Sequence, residues 1–193
     1  MNKVFLFIRV ITVPHIFALL LLTLVYIVHP QYFASIWFLL AGILFLTVLP
    51  LLAYPLQKHI ARYKDRGREG QRKLAMIFSS LGYVLGTAVV FIFETPLQLR
   101  MIFVEYLLCG IAILVSDKVF KLKASGHACG IVGPVAMLIY LQMYIPAIVG
   151  ALLIIPVYVS SIKTKQHTPT QLIIGSAIPI IMLVIDHLIF HLL

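Results

Sequence analysis

Two polar loops carry the residues whose types and spacing are suited to chemistry, and in each loop lysines precede a histidine. The loops cover residues 116–127 and 160–171. Their histidines, His127 and His167, stand where a helix is expected to begin. Two imidazoles over one basic pocket suit phosphoryl transfer, because one ring can attack phosphorus while the other protonates the leaving oxygen. Such chemistry requires no metal ion and no other cofactor.

The same loops contain groups that would hold a phosphate. Gly126 lets the backbone approach a bound group, and Ser125 forms an anion site together with the amides of the following helix start. Loop lysines would neutralise the phosphate charge, and they are Lys118, Lys121, Lys123, Lys163 and Lys165. Anchoring of these lysines to the cytoplasmic membrane surface is an equally favoured interpretation, and the two roles are compatible.

The composition indicates which elements position these loops. The chain has 193 residues, of which 62% are hydrophobic and only 11% charged, and this balance excludes a water-soluble globule. About 20 apolar residues cross a bilayer as a helix, and apolar runs of that order recur from end to end. Residues 1–193 are therefore predicted to form one all-α domain, a polytopic integral membrane bundle with six or seven transmembrane helices. The net charge of +9 then points to anionic headgroups or a phosphorylated substrate, not to nucleic acid.

Seven apolar segments are predicted along the chain. They cover residues 4–28, 34–54, 74–93, 101–115, 128–144, 146–160 and 172–193. The first segment could lie in the membrane interface, which would leave six crossings. The fourth is short, so we expect it to tilt, to thin the bilayer or to extend through flanking polar residues. The fifth and sixth divide a stretch too long for one helix, with Gln142 and Pro146 offering the break and the sixth segment being the short one.

This pair of segments is expected to form a hairpin that returns both polar loops to one membrane surface, where His127 and His167 would lie near each other. The loop over residues 57–73 holds seven basic residues against two acidic ones, and this excess predicts a cytoplasmic position. Counting crossings from that loop places Lys3 and both polar loops on the same side. We therefore expect a site that faces the cytoplasm, in a chain typical of a prokaryotic plasma membrane.

Around these loops the chain resembles the type 2 phosphatidic acid phosphatase superfamily of membrane lipid phosphatases. Ser125-Gly126-His127 matches the core of that family's Pro-Ser-Gly-His motif. Ser160, His167 and Gln171 fall in the frame of its third motif, which reads Ser-Arg, five residues, His, three residues, Asp. The resemblance covers about residues 116–175, and it implies that His167 is the nucleophile, that His127 is the general acid and that Gln171 orients His167.

The chain also departs from the family pattern. Ala124 stands where the family has proline, Ser161 where it has arginine and Gln171 where it has aspartate, and no Arg-Pro pair precedes the second motif. Lysines could replace the missing arginines, although a lysine supplies a point charge and not a bidentate fork. Gln171 could accept a hydrogen bond from the His167 ring, but it lacks the charge that stabilises an imidazolium. Slower chemistry, or none, is therefore compatible with the sequence.

The sequence thus predicts a membrane phosphatase that hydrolyses a lipid or isoprenoid phosphate or diphosphate through a phosphohistidine. Its partners would be this phosphorylated substrate and the surrounding membrane lipids. Two alternatives are kept open. One is a catalytically silent relative that binds or moves a phosphorylated lipid, and the other is a non-enzymatic transport or structural subunit.

A few ionisable residues lie within or near the apolar segments, where such residues are often functional. For Glu105 we favour a structural hydrogen bond inside the bundle. His187 and His191 are spaced as metal ligands on a helix can be, beside Asp186. Termination of the last helix at the membrane interface is the favoured interpretation of that set.

Overall fold

The structure is a computed structural model, and it describes residues 13–192. Seven helices make up this described range. Their bounds are α1 Pro14–Val28, α2 Ile36–His59, α3 Gly67–Ile92, α4 Leu97–Lys118, α5 Gly126–Tyr140, α6 Tyr144–Lys163 and α7 Pro169–Leu192. No strand occurs in this described range, and the predicted all-α class is confirmed. The first predicted segment begins outside the described residues, as does Lys3, but its end at Val28 is confirmed.

Five of the helices are long and apolar enough to cross a membrane, namely α2, α3, α4, α6 and α7. The two others, α1 and α5, are apolar but have only 15 residues each. A helix rises about 1.5 Å per residue, so a helix of that length is shorter than the hydrocarbon core of a bilayer. The chain is a membrane protein in which short helices lie among longer ones.

Helix α2 continues through two prolines at which the sequence predicted its exit. It consists of α-helical stretches Ile36–Ile43 and Leu49–Leu56, a π-helical segment Leu44–Val48 between them and a closing 3-10 turn Gln57–His59. Pro50 stands in the first turn that follows the π-helical segment, and the chain stays helical through it. Pro55 lies near the end of the second stretch. The predicted exit was therefore too early.

The hairpin of α5 and α6 is present, but its break and its short member differ from the prediction. The chain turns at residues 141–143, where Gln142 has a φ of 61° in the left-handed region. Pro146 then falls in the first turn of α6, a position that proline fills without loss of a helical hydrogen bond. As a result α6 has 20 residues and α5 is the short member with 15.

The short fourth predicted segment is part of a longer helix. Helix α4 begins four residues earlier than predicted, at Leu97, and continues through Ser116 and Asp117 to Lys118. Its 22 residues are enough to span the bilayer. Of the three expected solutions, extension through flanking polar residues is the one that the structure shows.

Helix α5 occupies the centre of the arrangement. It packs against α1, α4, α6 and α7, and its inner side chains include Ile131, Met137 and Leu138, which are buried. Helix α6 packs mainly against α5 and turns a row of large apolar side chains outward, among them Ile148 and Leu152. This outward row suits contact with lipid, because apolar side chains lose nothing in that environment.

Candidate active site

The first turn of α5 is fixed by Ser125, which immediately precedes it. The Ser125 hydroxyl accepts a hydrogen bond from the Ala128 amide at 3.2 Å, so Ser125 is the N-cap of this helix. Gly126 and His127 follow as the first two helical residues. The cap therefore sets where the His127 side chain leaves the helix.

The first turn of α7 is fixed by a second cap. The Gln171 amide N–H donates to the Thr168 hydroxyl at 3.3 Å, and the Thr168 amide donates to the Gln171 side-chain oxygen at 3.4 Å. This reciprocal pair is a capping box, with Pro169 at the first helical position. His167 directly precedes the box and is therefore held at the start of α7.

A backbone contact ties the two helix starts together. The Ser125 amide donates to the Gln171 carbonyl oxygen at 2.9 Å. Gly175, one turn further along α7, allows this approach, since a Cβ added there would lie 2.4 Å from the Ser125 carbonyl oxygen. Because a neighbouring backbone oxygen cannot give way as a flexible side chain can, the position requires glycine. The loops of the two histidines are thus locked against each other.

Both histidines line one pocket, as the predicted hairpin required. This histidine pocket has a volume of about 10 Å³ and is lined by His127, Val157, Ser160, Ser161, Thr164, Gln166 and His167. The last turns of α6 contribute the apolar and hydroxyl side chains, and Thr164 donates to the Ser160 carbonyl oxygen at 2.7 Å. The pocket therefore combines two imidazoles with three hydroxyl side chains at the meeting point of α5, α6 and α7.

Gln171 contacts His167 as the sequence predicted. The Gln171 Oε1 atom lies 3.1 Å from His167 Nδ1. An amide oxygen only accepts hydrogen bonds, so the proton of this bond belongs to Nδ1. In a neutral imidazole the lone pair then resides on Nε2, which is the nitrogen that would attack an electrophile. The contact therefore selects a tautomer and a ring orientation.

The five lysines of the predicted phosphate site are placed differently. Lys118, Lys121, Lys123, Lys163 and Lys165 are all exposed, and the described residues that line the histidine pocket include no lysine. Lys118 and Lys163 stand in the last turns of α4 and α6, where a positive charge favours the helix dipole. The five lysines thus lie at the surface, outside the described lining of the pocket.

Ser125 and Gly126 also fall outside the pocket lining. Ser125 is 0% exposed, and its hydroxyl and amide are engaged with Ala128 and Gln171. Gly126 is exposed and lines a different cavity inside the bundle. The structure therefore shows Ser125 as a helix cap that positions His127, because a ligand has no surface of this serine to contact.

The ionisable residues of the spans lie away from the histidine pocket. The predicted hydrogen bond of Glu105 is confirmed, since the Cys109 thiol donates to its Oε1 atom at 3.2 Å. Asp186, which we expected at the interface, is instead 0% exposed, because α7 turns it toward the bundle. His187 and His191 are exposed, and both lie within hydrogen-bond distance of the Tyr140 hydroxyl.

Sequence reasoning missed two features of the site. The capping box Thr168-Pro169-Thr170-Gln171 was visible as a Ser/Thr residue followed three positions later by Gln, with proline at the first helical position. The hydroxyls of Ser161 and Thr164 carried no such signal, because their place in the pocket depends on how α6 packs beside α5.

Comparison of the chain with protein-family models, with curated proteins and with solved structures finds no match. The residues of the chain itself are therefore the basis for assigning a function.

Proposed function

We propose that the chain is a membrane-embedded phosphatase that hydrolyses a lipid or isoprenoid phosphate or diphosphate through a phosphohistidine on His167. His127 is the general acid in this proposal, and Gln171 is a positioning residue that acts through His167. The site opens toward the cytoplasm, as the charge of the loop at residues 57–73 predicts.

The observation that carries the proposal is the shared pocket. His127 and His167 belong to loops far apart in the sequence, yet both line the histidine pocket at the joined starts of α5 and α7. Gln171 is the third group of the proposed site, because its hydrogen bond orients the ring that would act as nucleophile. Two imidazoles among hydroxyl side chains, one of them oriented by Gln171, suit attack on phosphorus and protonation of the leaving group.

The reaction divides into two displacements. The His167 Nε2 lone pair attacks phosphorus, the bond to the leaving oxygen breaks, and protonated His127 donates its proton to that oxygen. Water then attacks the phosphohistidine, the phosphorus–nitrogen bond breaks, and neutral His127 accepts a proton from the water. Inorganic phosphate leaves, and both histidines return to their starting states.

Phosphate release by the purified chain tests the proposal. The substrates are phosphatidate, phosphatidylglycerophosphate and polyprenyl mono- and diphosphates, presented in detergent. We expect release from at least one substrate by the parent and loss of at least about 1000-fold with His167→Ala, as for removal of a covalent nucleophile. His191→Ala is the matched control, because His191 is an exposed histidine outside the pocket lining. Equal release by parent and His167→Ala would contradict the proposal.

A second candidate is a silent relative that binds or moves a phosphorylated lipid. It is favoured by the absence of a lysine from the described lining of the pocket and by the neutral amide of Gln171. Gln171→Asp discriminates between the two candidates. Release by Gln171→Asp but not by the parent would identify a pocket retained for binding, whereas silence of both would remove the phosphatase proposal.

A further inference from the structure

A second cavity lies inside the bundle among α1, α3, α4 and α5, and we call it the internal cavity. Its volume is about 70 Å³, which is more room than one water molecule needs and less than a pocket for a drug-sized ligand offers. Most of its lining is apolar, with Leu21, Ile113, Pro134 and Met137 among the contributors. A space of this size and character would accept a small, largely apolar molecule.

Glycines form part of the wall of this space. Four of them line the internal cavity, namely Gly110, Gly126, Gly130 and Gly133. At Gly130 an added Cβ would lie 2.4 Å from the Cβ of Pro14, so α1 and α5 approach each other closely there. At Gly126 an added Cβ would meet no atom within 4 Å. Glycines of α4 and α5 thus form part of the cavity wall, and α1 lies directly against α5 at Gly130.

Two polar side chains of the internal cavity have atoms that no described residue satisfies. Glu105 is 4% exposed, and the Cys109 thiol donates to Oε1, but Oε2 has no hydrogen-bond partner among the described residues. The hydroxyl of Tyr106 is also buried without a partner in that part of the chain. Both residues line the internal cavity. Buried polar groups are nearly always hydrogen-bonded, so these neighbouring side chains indicate a polar group supplied from outside the chain.

We propose that the internal cavity binds a small apolar molecule that carries a hydroxyl group, such as a short-chain alcohol. The apolar chain would contact Met137 and Ile113, and the hydroxyl would bind Glu105 Oε2 and the Tyr106 hydroxyl. A hydroxyl is the group that fits, because it donates to a carboxylate and accepts from a carboxylic acid. The proposal does not depend on phosphatase activity, since neither Glu105 nor Tyr106 lines the histidine pocket.

Photo-crosslinking tests this binding directly. The probe is a butanol with a diazirine in its chain, and the matched control probe is the corresponding butane, which has the diazirine but no hydroxyl. Each is added to the full chain in lipid nanodiscs, and labelled residues are located by mass spectrometry. We expect the alcohol to label Met137 and its cavity neighbours, and the alkane to label them about five- to tenfold less, as loss of a buried hydrogen bond predicts.

Variants of the chain complete the test. Glu105→Leu and Tyr106→Phe should each lower alcohol labelling in the cavity, whereas His167→Ala should leave it unchanged. Tyr106→Phe removes one hydroxyl and keeps the ring, so it protects the test against misfolding of the Glu105 variant. Labelling confined to lipid-facing residues such as Ile148 and Leu152, or equal cavity labelling by alcohol and alkane, would overturn the proposal.

Discussion

The histidine pocket and the internal cavity meet at the first turn of α5, where His127 lines the pocket and Gly126 lines the cavity. The two spaces differ in the hydrogen bonding of the polar side chains beside them. Beside the histidine pocket, a helix cap engages Ser125, and Gln171 bonds to His167. In the internal cavity Glu105 and Tyr106 retain atoms without a partner among the described residues.

The histidine pocket is therefore a preorganised site, whereas the internal cavity has polar atoms that a ligand could bind. A side chain fixed by several hydrogen bonds is held in a single geometry, which favours chemistry on a bound group. A buried polar atom without a partner costs free energy until a ligand supplies one, which favours binding. The four predictions below test this contrast, from the largest expected effect to the smallest.

Gly175→Ala should disrupt the histidine pocket through its framework. The added Cβ would lie 2.4 Å from the Ser125 carbonyl oxygen, so the starts of α5 and α7 must separate. We expect a loss of about 3 kcal/mol in the free energy of unfolding, as for strong overpacking, together with loss of phosphate release. Thermal unfolding in detergent measures the first effect.

Gly133→Ala is the control for that change, because it adds the same methyl group between the same two helices. Its Cβ would lie 3.5 Å from the Pro179 Cβ, an ordinary contact. Stability should therefore be retained. Equal stability of the two variants would mean that the approach at Gly175 does not hold the site together.

Gln171→Leu should remove the group that orients His167 while leaving both histidines in place. We expect kcat to fall about 100-fold, because a misoriented ring loses much of its acid–base and nucleophilic advantage. Gln171→Glu keeps the reach and the capping box and adds a negative charge. Since a carboxylate stabilises the protonated ring and attack requires the neutral one, the acidic limb of the pH–rate profile should move to higher pH. An unchanged profile would show that residue 171 acts only as a helix cap.

Glu105→Leu should not lower the free energy of unfolding, even though it removes a buried polar group. The parent holds Oε2 without a partner among the described residues, and an apolar side chain of similar size ends that cost. We expect the free energy of unfolding without added ligand to stay the same or to rise by about 1 kcal/mol. In contrast, Ser125→Ala should lower it by about 1 kcal/mol, because a helix cap is lost. A large loss of stability in Glu105→Leu would indicate a purely structural carboxyl group.

Replacement of both Lys121 and Lys123 by glutamine should have the smallest effect on turnover. These side chains are exposed and lie outside the described lining of the histidine pocket. We expect KM for an anionic lipid to rise about fivefold at low salt with kcat unchanged, and the difference to shrink at high salt. Lys73→Gln is a suitable control, since Lys73 is paired with Glu69 at 2.7 Å. A fall in kcat would instead place these lysines at the reacting phosphate.

Sequence patterns predicted the structural features that depend on residues close together in the chain. Apolar runs predicted the seven helices, and the hairpin predicted that His127 and His167 meet. The resemblance of residues 160–171 to a phosphatase motif led us to expect a hydrogen bond between Gln171 and His167, and these side chains are in contact. Such features depend on a few consecutive residues and on the geometry of one helix.

The features that sequence reasoning missed depend on packing between helices. Pro146 was read as the hairpin break, although proline fits equally well in the first turn of α6. The internal cavity combines residues of four helices, and no spacing within one helix reveals that their surfaces leave a gap. The lysines were predicted to bind phosphate because several of them occur in the two polar loops. The exposure of their side chains depends on the fold.

The central claim is that His127 and His167 form one reacting pair, and trapping of the phosphorylated enzyme tests it most directly. A lipid substrate carrying radiolabelled phosphate is mixed with the chain and quenched in base, because phosphohistidine is stable in base and labile in acid. The account predicts label on His167 in the parent, label that accumulates more slowly in His127→Ala, and none in His167→Ala. Label on any residue other than His167, or hydrolysis with no labelled protein in any variant, would contradict it.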